Sequence, residues 1–288
     1  MSDVCVVTGG GSGMGLSAAL QMPKDKIIIV SGRTISKLEK AVEQLKEGGH
    51  EAYACTCDTS DRESVKKLVE FAASKGTVRN VINAAGMSPN MAKPEALLRV
   101  NALGTVYINQ EFSKVMPRGS VIVDISSNSA YVLPKILLNK KTFALAETDE
   151  AKFIAKCIKT SNLAKTDYQK SGFAYALSKS FVVWYAQKCA FEYGQKGIRV
   201  CSLSPGLIAT DMGKLEEKEG ASMLEYAAEK RMGTPDELGF AIATVADERN
   251  GYLAGVDVLV DGGSTNGKSF RKPGARQIPR PAATLVRV

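Results

Sequence analysis

A chain of 288 residues, 44% hydrophobic and 24% charged, has the length and composition of one large globular domain, and no stretch of it reads as a linker between two. No apolar run reaches membrane-spanning length, the six cysteines show neither a Cys-x-x-Cys pair nor zinc spacing, and His50 is the only histidine. A helical membrane protein, a disulfide scaffold, a histidine triad and a histidine metal cluster are thereby excluded, and reduced, mostly buried thiols are expected.

The N-terminal MSDVCVV enters an apolar strand with no signal-peptide pattern, so a cytoplasmic protein is expected. Val4 to Val7 form a β-branched run, Thr8 to Gly13 are glycine-rich, and a helical pattern begins at Met14. Strand, glycine turn and helix start form the setting in which backbone N–H groups cradle a pyrophosphate; a plain glycine turn is the alternative. The spacing Thr8-Gly9-x-x-x-Gly13-x-Gly15 is wider than the dinucleotide fingerprint G-x-G-x-x-G.

Apolar runs then alternate with amphipathic stretches: KIIIVS, ISKLEKAVEQLKEG, EAYACTC, DRESVKKLVEFAASKG and NVINAAG. This alternation predicts βαβ units and an α/β fold with a doubly wound, Rossmann-type parallel sheet. In the first helix of the series Leu38, Ala41, Val42 and Leu45 make the core stripe, while Glu39 and Glu43 face solvent. Far downstream, AYALSK places Tyr175 and Lys179 four apart, about one helical turn, so phenol and ammonium share a face. A fixed positive charge favours the phenolate, which suits an acid/base centre.

Taken in order, these motifs resemble the short-chain dehydrogenase/reductase family, and the resemblance runs through most of the chain. It implies a nicotinamide cofactor held at the loop by Thr8, Gly9, Ser12, Gly13, Met14 and Gly15. Asp58 and Thr59 in CDTSD would lie at the adenine. Asn83, Ala84 and Gly86 match the family's Asn-Asn-Ala-Gly segment, with Ala84 departing from the second Asn. Pro205, Gly206, Ile208 and Thr210 in SPGLIAT would meet the nicotinamide and phosphates, and GVDVLVDGG matches the last strand. Asn101, Ser127, Tyr175 and Lys179 are the implied catalytic set, with Tyr175 and Lys179 also touching the cofactor; Ser127 is preferred to its neighbour Ser126. At the end of the second strand Gly32 stands where NAD-specific relatives carry Asp, and Arg33 follows, so NADP(H) is favoured over NAD(H). The alternative is an Arg33 that only caps the next turn in an unselective enzyme.

Ser127 and Tyr175 stand 48 positions apart, far more than the family usually places between them. The extra segment, roughly residues 131–172, carries a helix of its own, with Thr148 as its N-cap, Asp149 and Glu150 in the first turn, and Phe153, Ile154, Cys157 and Ile158 in one apolar stripe. A lid over the substrate or an interface between subunits would each account for that stripe. Conversely, the run from Asn83 to Asn101 is short, which predicts a trimmed helix before the site. This combination resembles the family's bacterial 3α-hydroxysteroid dehydrogenase/carbonyl reductase subgroup, implying a steroid or other bulky apolar ketone.

The net charge of +8 is uneven, because Lys268, Arg271, Lys272, Arg276, Arg280 and Arg287 follow the last acid, Asp261. Residues 1–267 are expected as the catalytic domain and 268–288 as a basic tail, either solvated or packed on a neighbouring subunit. No aromatic-interleaved basic surface accompanies it, so a nucleic-acid partner is not expected. The expected protein is a homo-oligomer, dimer or tetramer, that transfers a hydride between NADP(H) and a small-molecule carbonyl or alcohol. A non-catalytic NADP(H)-binding sensor and a lyase or epimerase on the same fold are the competing readings.

Overall fold

The apolar runs become the strands of one sheet. The chain, seen in a computed structural model that describes residues 2–215 and 224–270, has seven of them: β1 Asp3–Thr8, β2 Ile27–Gly32, β3 Glu51–Thr56, β4 Thr77–Asn83, β5 Val121–Ile125, β6 Arg199–Pro205 and β7 Asp257–Val260. All pairings are parallel and the order is β3-β2-β1-β4-β5-β6-β7. The order reverses between β1 and β4, which opens a crevice beyond the carboxyl ends of those strands. Helices cover both faces: α1 Gly13–Gln21, α2 Ile35–Glu47, α3 Arg62–Lys75, α4 Pro94–Leu98, α5 Gly104–Phe112, α6 Lys140–Ala144, α7 Glu150–Ser161, α8 Asp167–Gly194, α9 Asp211–Leu215, α10 Pro235–Ala246 and α11 Ser264–Phe270. Of the expected basic tail, residues 271–288 lie outside the described residues.

Strands buried on both faces must be apolar throughout, and β1 shows how the faces divide. Val4 and Val6 join a core with Leu68 of α3, Phe112 of α5 and Phe181 of α8. Cys5 and Val7 join the opposite core with Ala18 of α1, Leu38 of α2 and Ile242 of α10. Leu38, Ala41 and Leu45 are buried as expected and Val42 is partly buried. Five of the six cysteines are buried and all are free. His50 is buried too, its Nε2 2.7 Å from Lys24 Nζ, and desolvation holds its pKa below the usual value.

Between Asn83 and Asn101 the helix is indeed short: α4 has five residues and passes into a single π-helical turn, Arg99–Leu103, before α5. The insertion contains α6, α7 and the first turns of α8. Its helix α7 is capped by Asp149, whose side chain accepts from Lys152 N–H at 3.0 Å, and not by Thr148. Asp149 is the residue that stands at the N-cap position, so its carboxylate reaches the free N–H groups, and its charge also complements the helix dipole.

The destination of the apolar stripe corrects the larger expectation. Phe153 is fully buried, with its ring 5.3 Å from that of Phe181 on α8, and Ile154 and Cys157 lie in the same core. Phe143 of α6 adds an edge contact to Phe181 at 5.5 Å and a tilted one to Trp184 at 5.6 Å, both between ring centroids. The stripe thus covers this chain's own long helix, and neither substrate nor a second subunit is needed to bury it. Truncating a fully buried aromatic removes its packing and leaves a cavity, so Phe153→Ala should cost about 3–5 kcal/mol in urea unfolding. The Michaelis constants of the folded variant should stay unchanged; a raised constant for bulky substrates alone would restore the lid role of α7.

Candidate active site

The carboxyl ends of β1, β4, β5 and β6 bring the expected site residues together. The glycine loop after β1 is shaped by two close approaches. Gly9 has φ +66°, and a Cβ there would lie 2.7 Å from the Ala84 carbonyl oxygen; a Cβ at Gly15 would lie 2.5 Å from Gly9 O. Only glycine fits where backbone meets backbone this closely. Gly13, φ +56°, faces Thr210, whose methyl would sit 3.3 Å from an added Cβ. Ser12 caps α1 in extended conformation, yet its hydroxyl makes no hydrogen bond to the helix. The loop leaves the first N–H groups of α1 at the crevice, an arrangement suited to a pyrophosphate.

At the end of β1, Thr8 Oγ1 donates to Asn83 Oδ1 on β4 at 2.8 Å and accepts from Ala85 N–H at 3.1 Å, which fastens the glycine loop to the Asn83-Ala84-Ala85-Gly86 turn. Gly86 stands between Asn101 and Lys179: a Cβ there would lie 3.3 Å from Asn101 Oδ1 and 3.4 Å from Lys179 Nζ. The Asn101 side chain is fully engaged with backbone and helix. Its Oδ1 accepts from Met87 N–H at 2.9 Å, while its Nδ2 donates to Met87 O at 3.0 Å and to Ser178 Oγ at 3.2 Å. Asn101 therefore fixes the turn after β4 to α8, and Ser178, missed in the sequence, completes that clasp.

Lys179 is buried and donates to Ile125 O at 2.9 Å, with Nζ 5.8 Å from the centroid of the Tyr175 ring. The two serines after β5 divide their work. Ser126 Oγ donates to Lys179 O at 2.8 Å, a bond that ties β5 to α8, whereas Ser127 Oγ accepts from Ser129 N–H at 3.1 Å and donates to Asn128 Oδ1 at a long 3.4 Å; both serines line the cleft. A cleft of about 240 Å³ is lined by Met14, Ser127, Tyr175, Pro205, Gly206, Ile208 and Thr210 among the expected residues. Ser129, Val132, Tyr168 and Gly172 line it as well, so the two ends of the insertion wall the site although its central helix does not.

Arg33, Asp58 and Thr59 stand at the other end of the crevice, beyond β2 and β3. The strands set Gly32 beside Thr56, and Cys57 N–H donates to Gly32 O at 3.0 Å. Asp58 closes its own turn, with Oδ1 accepting from Ser60 N–H at 2.9 Å and Ser60 Oγ at 2.6 Å. Thr59 is buried against Gly104 of α5. Arg33 is exposed and has no ion-pair partner among the described residues.

One ionisable group at the site went unnoticed in the sequence. Asp124 on β5 is fully buried; desolvation raises its pKa to about 7 against the lowering effects of Asn109, Asn83 and Lys179. An acid whose folded-state pKa lies above its unfolded value keeps a proton that the unfolded chain has released. Its contribution to stability therefore falls as pH rises from 3.8 to about 7 and is flat above that. Asp124→Asn does not titrate, so its melting temperature relative to wild type should climb between about pH 4 and about pH 7 and level off above that. A difference that stays constant over that range would show that Asp124 is ionised throughout.

Known proteins give the arrangement its context. A family model described as short chain dehydrogenase matches residues 3–136, and one described as Enoyl-(Acyl carrier protein) reductase matches residues 142–265. The chain is 28% identical over 272 residues to cyclohexanol dehydrogenase of Acinetobacter sp. (strain SE19), covering 92% of this chain and 96% of that one. It is 24% identical over 274 residues to 7alpha-hydroxysteroid dehydrogenase of Escherichia coli (strain K12), covering 90% and 92%. A short chain dehydrogenase from Burkholderia cenocepacia J2315, solved in complex with NADP, superposes with a TM-score of 0.70 at 21% identity over 90% of this chain and 96% of that one.

Proposed function

The chain belongs to the short-chain dehydrogenase/reductase family of oxidoreductases, and from that premise we propose that it transfers a hydride between NADP(H) and a bulky apolar ketone or secondary alcohol. The observation that carries the reading is Tyr175 opening on a mostly apolar cleft, with the Lys179 ammonium held beside it by Ile125 O. A nicotinamide bound along the glycine loop would supply or accept the hydride. Tyr175 would give or take the hydroxyl proton, and Lys179 would favour its phenolate and bind the nicotinamide ribose. Ser127 would hydrogen-bond the substrate oxygen, and the Asn101 carbonyl, which already accepts from Thr105, would hold the water that passes protons outward.

The chain's own groups fit the cofactor. The side-chain-free faces of Gly9 and Gly15, the Ser12 hydroxyl, which makes no capping hydrogen bond to α1, and the N-terminus of α1 suit the phosphates. Gly32 offers no carboxylate to a ribose, while the exposed Arg33 suits the 2′-phosphate of NADP. The reading extends to a homo-oligomer acting in the cytoplasm: β7 is an edge strand, Phe240 and Tyr252 are exposed near it in sequence, and the free thiols suit a reducing compartment.

Substrate size follows from α8. Tyr168 and Gly172 precede Tyr175 at helical spacing and share its cleft-facing side, and with Val132 they make an apolar wall. Tyr168→Ala should raise the Michaelis constant for a bulky apolar ketone by about tenfold and leave that of a small ketone unchanged. Equal effects on both would remove Tyr168 from the substrate wall. A panel of ketones and hydroxysteroids run with both cofactors tests the whole reading: NADPH-dependent reduction of bulky apolar members is expected, and activity confined to small polar carbonyls would refute the substrate class.

A further inference from the structure

A carboxylate buried in a central strand must be surrounded by donors, and those around Asp124 lead to the glycine loop and to the Asn101 turn. Its Oδ1 accepts from Asn83 Nδ2 at 3.1 Å and its Oδ2 from Asn109 Nδ2 at 2.8 Å. Asn83 carries the connection to the glycine loop through Thr8, as described above. The same Asn83 Nδ2 reaches Thr105 Oγ1 at 3.3 Å, and Thr105 donates to Asn101 O at 2.8 Å, inside the π-helical turn that brings Asn101 to Gly86 and Met87. Along its own strand Asp124 precedes Ile125, whose carbonyl holds Lys179, and Ser126 and Ser127.

We propose that Asp124 is a positioning residue that sets the cofactor loop and the Asn101 turn in register with each other through Asn83. The assignment rests on the reading of this cleft as a dinucleotide and carbonyl site, and it adds a residue that touches neither ligand. What matters is hydrogen bonding to both amides. Asn109 Oδ1 is buried with no hydrogen-bond partner. An amide in place of the carboxylate can therefore accept from Asn83 and donate to a turned-over Asn109, which preserves the network without the charge. A valine at the same position can do neither.

The test compares Asp124→Asn, Asp124→Val and Thr105→Val by NADPH titration of Trp184 fluorescence, by turnover and by melting temperature. Asp124→Asn should keep cofactor affinity and kcat within about threefold of wild type. Asp124→Val should weaken NADPH binding and lower kcat, each by about tenfold or more, in protein that is still folded. Combining Asp124→Val with Thr105→Val should add little to the kcat loss of either, because both cut one network. Wild-type affinity and kcat in folded Asp124→Val, additive losses in the pair, or Asp124→Asn as impaired as Asp124→Val would each overturn the assignment. Should Asp124→Val not fold, Thr105→Val decides by itself: a reduced kcat supports the network and an unchanged kcat overturns it. Wild-type protein that fails to bind NADPH would instead defeat the functional reading, so the two failures are distinguishable.

Discussion

Tyr175→Phe should bind NADPH with wild-type affinity, melt at the wild-type temperature and lose turnover by about a hundredfold to ten-thousandfold, the usual cost of removing a general acid/base. The substitution deletes one oxygen from a half-buried ring on α8 and leaves the packing of that ring against the core in place. Lys179 stays fixed by Ile125 O, so its position does not depend on the phenol. Loss of kcat with cofactor affinity retained therefore isolates proton transfer. A variant keeping more than about a tenth of wild-type turnover would remove Tyr175 from that role.

Exchange of cofactor preference should be nearly as large. Gly32→Asp with Arg33→Ile replaces the group that suits a 2′-phosphate with one that repels it and can accept from ribose hydroxyls. The structure permits the change, since a Cβ at Gly32 meets only Leu38 Cδ2, at an ordinary 3.6 Å, and Arg33 has no ion pair to lose among the described residues. A charge-assisted bond contributes about 1.5–3 kcal/mol, so affinity for NADPH should drop by about tenfold to a hundredfold while NADH gains. Titration of the wild-type protein showing NADH bound as tightly as NADPH would contradict the premise without any variant.

The parts of this site that were legible in the sequence are the local ones. A strand, a glycine turn and a helix start lie within about a dozen residues, and Tyr175 and Lys179 share a face because helical geometry demands it. The stripe on α7 was legible as a stripe, but amphipathicity says only that something covers it. Its cover is Phe181, beyond Tyr175 on a helix whose first turns belong to the insertion, and periodicity holds no record of that partner. Thr148 and Asp149 are adjacent capping residues, and only the backbone geometry at Asp149 selects between them. Asp124 did carry a signal, an acid inside the otherwise apolar VIVDI of a central strand. Its donors come from β4 and α5, however, and tertiary pairing alone reveals them.

The measurement that bears most directly on the central claim is stoichiometry: purified protein, NADPH and a bulky apolar ketone, with cofactor oxidation and alcohol formation followed together. The account predicts one alcohol formed for each NADPH consumed, over many turnovers. Conversion of a substrate with NADPH left intact would identify a lyase or epimerase, and tight NADPH binding without consumption across the ketone and hydroxysteroid panel would identify a sensor; either result would contradict the account.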